Sequence, residues 1–205
     1  MDSLREELGL PPIPDFELDI PPGWQRRDAS AETQADMERQ LRRKLMAAHR
    51  PDLMAILRTE LQKSFRSMKQ HRVIAHFSPA EDVPGISWLP LSLVARHRFA
   101  DANTSLDDIA RGLITQQGAT PLDGNLKILR AVRESKQTEG DTTVTLVTVT
   151  YLIPVPTTEK RVALEFTGSY PRPGGEAADG DYSRQMQAVL DACVSSIRWL
   201  KPAEV

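Results

Sequence analysis

"NLKILRAVRES" at 125–135, "TTVTLVTVTYLIPV" at 142–155 and "KRVALEFTGSY" at 160–170 are three consecutive strand-like segments. In the third, Val162, Leu164 and Phe166 alternate along the chain, the period of a strand with one buried face. The turns around Glu139-Gly140-Asp141 and Pro156-Thr157 are short, as an antiparallel meander requires. Upstream, "RVIAHF" and "ISWLPLSLVARHRFA" continue the pattern. In the latter, Leu89, Leu91, Leu93 and Ala95 fall on one face, with Ser92, Arg96 and Arg98 on the other. Pro90 cannot donate to a ladder, so its strand begins there or lies at an edge.

Helical segments flank these strands. "TSLDDIARGLITQQG" is a short amphipathic helix in which Ser105 and Asp108 form a capping arrangement and Gly118 closes the end. "YSRQMQAVLDACVSSIRWLKP" carries Met186, Val189, Leu190, Cys193 and Ile197 on one stripe, predicting a last helix from about Tyr182 to Leu200, ended by Pro202. The predicted fold is α+β: a mainly antiparallel sheet flanked by helices, one domain over residues 1–205.

Near the start, "FELDI" alternates Phe16, Leu18 and Ile20 with Glu17 and Asp19, predicting a strand. Pro21, Pro22 and Gly23 stop it, and Trp24 folds back as an apolar lid; a ligand contact by Trp24 is the alternative. Both Trp24 and Trp199 are expected to be mostly buried.

An inserted helical pair, or one long broken helix, is predicted over about 31–72. Ser30 is its N-cap, and Pro51 sits where a first turn tolerates proline. Leu41, Leu45, Leu57, Leu61 and Phe65 recur at helical spacing. Ten basic residues, among them Arg42 and Arg43, face five acids over residues 31–72, on a chain whose net charge is -2. That asymmetry marks Leu41, Arg42, Arg43, Leu45, Leu57, Leu61 and Phe65 as a candidate partner-binding or self-association element, with an acidic protein as the partner. Packing of the same apolar stripe on the sheet, or of the two helices on each other, is the other reading.

Composition bounds the function. The chain has 205 residues, 40% hydrophobic and 26% charged, an ordinary globular makeup. Nucleic-acid binding usually leaves a strongly basic footprint, and is not expected. The start, "MDSLREELGL", does not read as a signal peptide, and no apolar run approaches the ~20 residues of a membrane span. A lone cysteine, Cys193, fits a reducing compartment, so a cytoplasmic location is expected. No nucleophile elbow, phosphate-binding loop, dinucleotide fingerprint or zinc-protease helix is present. His71 and His76 are five apart, a poor spacing for metal ligands on one helix face. No catalysis, metal or cofactor is expected, and Cys193 reads as a buried thiol.

"FELDIPPGW", "SLDDIARGLI", "VTYLIPVPTTEKRVALEFTGS" and "MQAVLDACVSSIRWL" together resemble the PsbP-like family, which includes photosystem extrinsic subunits, a Ran-binding import factor, actinobacterial lipoproteins and effector chaperones. The first strand closes on proline and tryptophan, and Ser195 or Ser196 precedes Trp199 as in that family's last helix. The resemblance implies an α/β/α sandwich serving as a non-catalytic, protein-binding scaffold. An adaptor or chaperone for a bacterial secretion or effector system, or a structural subunit of a larger assembly, is the function it implies. The basic insertion over 31–72 departs from the family pattern, and the start, which does not read as a secretory leader, is expected to depart from it as well.

Overall fold

A computed structural model describes residues 12–80, 90–101, 103–122, 125–139 and 142–200. Its centre is a seven-stranded sheet in which every neighbouring pair is antiparallel. β2 (Trp24–Arg27), β3 (Val73–Pro79), β4 (Ser92–Phe99), β5 (Thr120–Leu122), β6 (Asn125–Glu139), β7 (Thr142–Pro154) and β8 (Val162–Arg172) lie in the order β2-β3-β4-β8-β7-β6-β5. A second, two-stranded sheet joins β1 (Phe16–Glu17) to β9 (Arg198–Trp199). Among the described residues, four α-helices flank the strands: α1 (Ala31–Ala47), α2 (Met54–Gln70), α3 (Leu106–Gln117) and α4 (Asp181–Ser195). This is the α+β fold expected from the meander.

Register fixes which side chains share a face. Opposite pairs Tyr151–Phe166, Val149–Gly168 and Val147–Tyr170 place one apolar row under α4. There Phe166, Val149, Tyr151 and Tyr170 are fully buried with Leu190 and Val194 of the helix. Arg130 Nε donates to Asp191 Oδ1 at 2.7 Å, and Tyr151 Oη donates to the same oxygen at 2.5 Å. Arg130 Nη2 donates to Gln187 Oε1 at 2.6 Å. Burial, then the hydrogen bond to Asp191, pushes the Tyr151 hydroxyl well above its ordinary range. These bonds tie α4 to β6 and β7 across an otherwise apolar layer, satisfying polar groups that would be costly to bury alone.

The opposite face is covered only in part. Leu106 of α3 packs on Leu152 and Ala163, with Ile109, Ala110 and Leu113 beside it. Ser105 and Asp108 form the expected capping box, and Gly118 closes the helix in the left-handed conformation at φ 65°. α1 and α2 form two separate helices rather than one broken one. Ser30 caps α1, and a short 3-10 turn, Pro51–Leu53, leads into α2.

Three local expectations are corrected. The "FELDI" strand is only two residues long, and Leu18 and Ile20 lie outside it, half-buried against the core. Trp24 is no lid over a strand end: it opens β2 and is buried. Its N–H donates to Pro21 O at 3.0 Å, and Gly23 takes φ 77°, so Pro21 to Trp24 form a turn with Pro and Gly at the positions that favour it. The last helix stops at Ser195 rather than running to Leu200. Ser196 Oγ donates to Cys193 O at 2.7 Å and accepts the Asp19 N–H at 2.7 Å. The chain then leaves as β9 to satisfy Phe16 and Glu17, so Trp199 is a half-buried strand residue beside Phe16. The strand after Pro90 begins at Ser92 and is interior to the sheet, with Leu91, Leu93 and Ala95 buried as expected. Leu89, Pro202 and the Gly140-Asp141 turn lie outside the described residues.

Candidate functional site

The partly covered face holds both regions with functional geometry: the α1–α2 hairpin at one side and a polar cavity beneath α3. In the hairpin, Asp28 Oδ1 accepts from the Thr33 hydroxyl at 2.5 Å and from the Ser30 N–H at 3.0 Å. Hydrogen bonds from Ser30 and then Thr33 hold the Asp28 carboxyl below its usual range, fixing the hairpin's base. Between the helices, Glu38 accepts from Gln34, Arg58 and Gln62, at 3.2, 3.1 and 3.3 Å.

The seven residues proposed from sequence do not form one surface. Phe65 is 1% exposed and Leu45 8%, so these two are interior. Leu41 and Leu61 are half-buried, and Leu41 lines a groove with His76 and Leu91. Arg42, Arg43 and Leu57 are exposed. The hairpin's tip adds two residues that the helical stripe did not mark. Met46 is 60% exposed and Ile56 62%, beside Leu57 at 37%. Among the described residues, Arg42, Arg66, Lys69 and Arg72 form no ion pair.

His76 faces the hairpin from β3, and its Nδ1 is buried with no hydrogen-bond partner among the described residues. Burial, with the nearby Arg27 charge, pushes its pKa down to about 4, so the imidazole is neutral at pH 7. Burial likewise pushes the Cys193 thiol up to about 11, which leaves it protonated and unreactive.

The second region is a cavity of about 600 Å³ between α3 and strands β4, β8, β7 and β6. Register places Arg96 opposite Glu165, Thr167 opposite Thr150, and Thr148 opposite Arg133. Glu165 is 7% exposed. Its Oε1 accepts from Arg96 Nη2 at 2.5 Å and Nε at 2.7 Å, and Arg98 Nε lies 3.4 Å from Oε2. A shared carboxylate therefore fixes both guanidiniums on one wall. Arg133 stands on the opposite wall and forms no ion pair among the described residues. Glu134 also borders the cavity, but its carboxylate is paired with Arg172 at 2.8 Å. Sequence reading put Arg96 and Arg98 on a wet face but did not join them to Arg133. The missed signal was the polar alternation of Thr148 and Thr150 with Val147, Val149 and Tyr151 along β7, which marks a polar face opposite the apolar one.

Among the described residues, no group of three or more His, Cys, Asp or Glu is placed to hold a metal ion. Nor is any helix among them long and apolar enough to cross a membrane. No protein-family model, curated protein or solved structure matches the chain.

Proposed function

We propose that the protein is a non-catalytic, cytoplasmic binding module that captures an acidic partner protein on the α1–α2 hairpin. The observation that carries this reading is the hairpin tip, where Met46, Ile56 and Leu57 expose large apolar side chains on adjoining helix ends. Burying them against a partner gains roughly 25 cal/mol per Å² of apolar surface. The cations Arg42, Arg66, Lys69 and Arg72 supply long-range attraction to an acidic surface. Leu45 and Phe65 hold the hairpin together from inside, so they serve the binding element without forming its contact surface. The likeness to PsbP-like adaptors and chaperones supports the same class of function, with a bacterial secretion or effector system as the setting.

The test uses the full chain. Cross-linking and mass spectrometry identify a partner, whose affinity is then measured for wild type and for a Met46→Ser/Ile56→Ser/Leu57→Ser variant. Loss of at least tenfold in affinity with an unchanged Tm is the expected result, together with weakening as salt rises. Equal affinity in the triple variant overturns the reading. Light scattering on the purified chain separates self-association through the same tip from capture of a different protein.

A further inference from the structure

The cavity beneath α3 has features that neither packing nor the hairpin explains. Gly112 sits in the middle of α3 and borders the cavity. A glycine inside a helix costs up to about 1 kcal/mol relative to alanine. Packing does not require it, because a Cβ built there meets nothing within 4 Å. What the missing side chain does is leave the cavity open along the helix. On the floor, the hydroxyls of Thr148, Thr150 and Thr167 have no hydrogen-bond partner among the described residues. Neighbouring β-strands carry valine or threonine with nearly the same shape, so hydroxyls here provide donors and acceptors rather than volume.

We propose that this cavity binds a small organic molecule bearing two anionic groups, carboxylate or phosphate. Its volume of about 600 Å³ falls within the roughly 300–1,000 Å³ of small-molecule sites. Arg96 and Arg98 enter from β4 and Arg133 from β6, three strand spacings away, or about 14 Å across the sheet. Arginines bordering the cavity from opposite walls are placed to meet the two ends of one ligand. Each can grip a carboxylate or phosphate through two parallel N–H donors. Glu165 holds Arg96 and Arg98 in place before the ligand arrives, which reduces the ordering cost of binding. The threonine hydroxyls address the polar middle of the molecule, and Ile109 and Leu113 of α3 cover it from above.

Calorimetry at fixed ionic strength, with citrate, 2-oxoglutarate, glucose 6-phosphate and inorganic pyrophosphate as probes, tests the proposal. At least one probe is expected to bind saturably with one site per chain. Arg133→Gln should weaken it at least tenfold, since Arg133 holds no ion pair among the described residues. Gly112→Leu should abolish it by filling the cavity, while the Tm of the unliganded variant stays at or above that of wild type. Thr150→Val, nearly the same shape, should weaken binding without altering the fold. Absence of saturable binding by all four probes overturns the proposal. So does binding that Gly112→Leu leaves unchanged, because the anions would then be held elsewhere on the surface.

Discussion

Gly168 and Gly112 stand on opposite sides of the same sheet and are glycine for opposite reasons. At Gly168, beneath α4, a Cβ would lie 2.5 Å from Leu190 Cδ1, so the helix can settle only because no side chain is there. At Gly112, facing the cavity, a Cβ would touch nothing within 4 Å. One glycine lets two elements close, and the other leaves the space between two elements unfilled. The contrast extends to the surrounding residues. The α4 face is built from Val147, Val149, Tyr151, Phe166 and Tyr170, all at or below 1% exposure. The other face is built from threonine, arginine and Glu165, with helices resting on its margins. Dense packing gives the first face its stability, and incomplete cover gives the second its room for ligands.

The largest effect that would break this contrast is at the sealed face. Phe166→Ala should destabilise the protein by about 3–5 kcal/mol, read as a lowered denaturation midpoint. If it costs no more than about 1 kcal/mol, the α4 face is not the dense core described.

Acid should act on the open face through His76. Its folded pKa of about 4 lies below the ordinary 6.5 because burial penalises the charged ring. The unfolded chain therefore binds the proton more readily. The stability this contributes is fully present above pH 6.5 and is lost as pH falls from 6.5 towards 4. Roughly 3 kcal/mol is at stake over that interval. His76→Gln, which has no charge to gain, should flatten the slope of stability against pH in that window. An unchanged slope would show that His76 protonates without penalty.

The glycines themselves supply the sharpest pair. Gly168→Ala should cost about 1–3 kcal/mol, because Leu190 must shift within a packed layer. Gly112→Ala should instead stabilise the protein by up to about 1 kcal/mol through helix propensity alone. Thermal unfolding of the two variants side by side decides the matter, since equal signs would erase the distinction between the faces.

The buried face of β8 was legible because Val162, Leu164 and Phe166 repeat at the strand period. Ser30, the Ser105–Asp108 box and Gly118 were legible because capping is chemistry between residues a few positions apart. The end of α4 was not. Ile197 and Trp199 continue an apolar pattern, yet Arg198 and Trp199 pair with Glu17 and Phe16, about 180 residues away, and that long-range pairing outweighed local periodicity. The hairpin's stripe was visible as a stripe, but whether a leucine in it faces solvent depends on how two helices and a sheet meet. Hence Phe65 is interior while Leu57 is exposed.

By itself, then, the sequence determined the long strands of the meander, the helical segments, the caps of α1 and α3, and that one helical insertion is basic, since those properties rest on spacing and local hydrogen bonding. Tertiary structure alone decided that Arg96, Arg98 and Arg133 meet around three threonines beneath Gly112. These residues lie on β4, β6, β7, β8 and α3, and only the strand order β4-β8-β7-β6 brings them to one cavity. Strand order is set by which apolar faces can be buried together, a property of the whole chain rather than of any window within it.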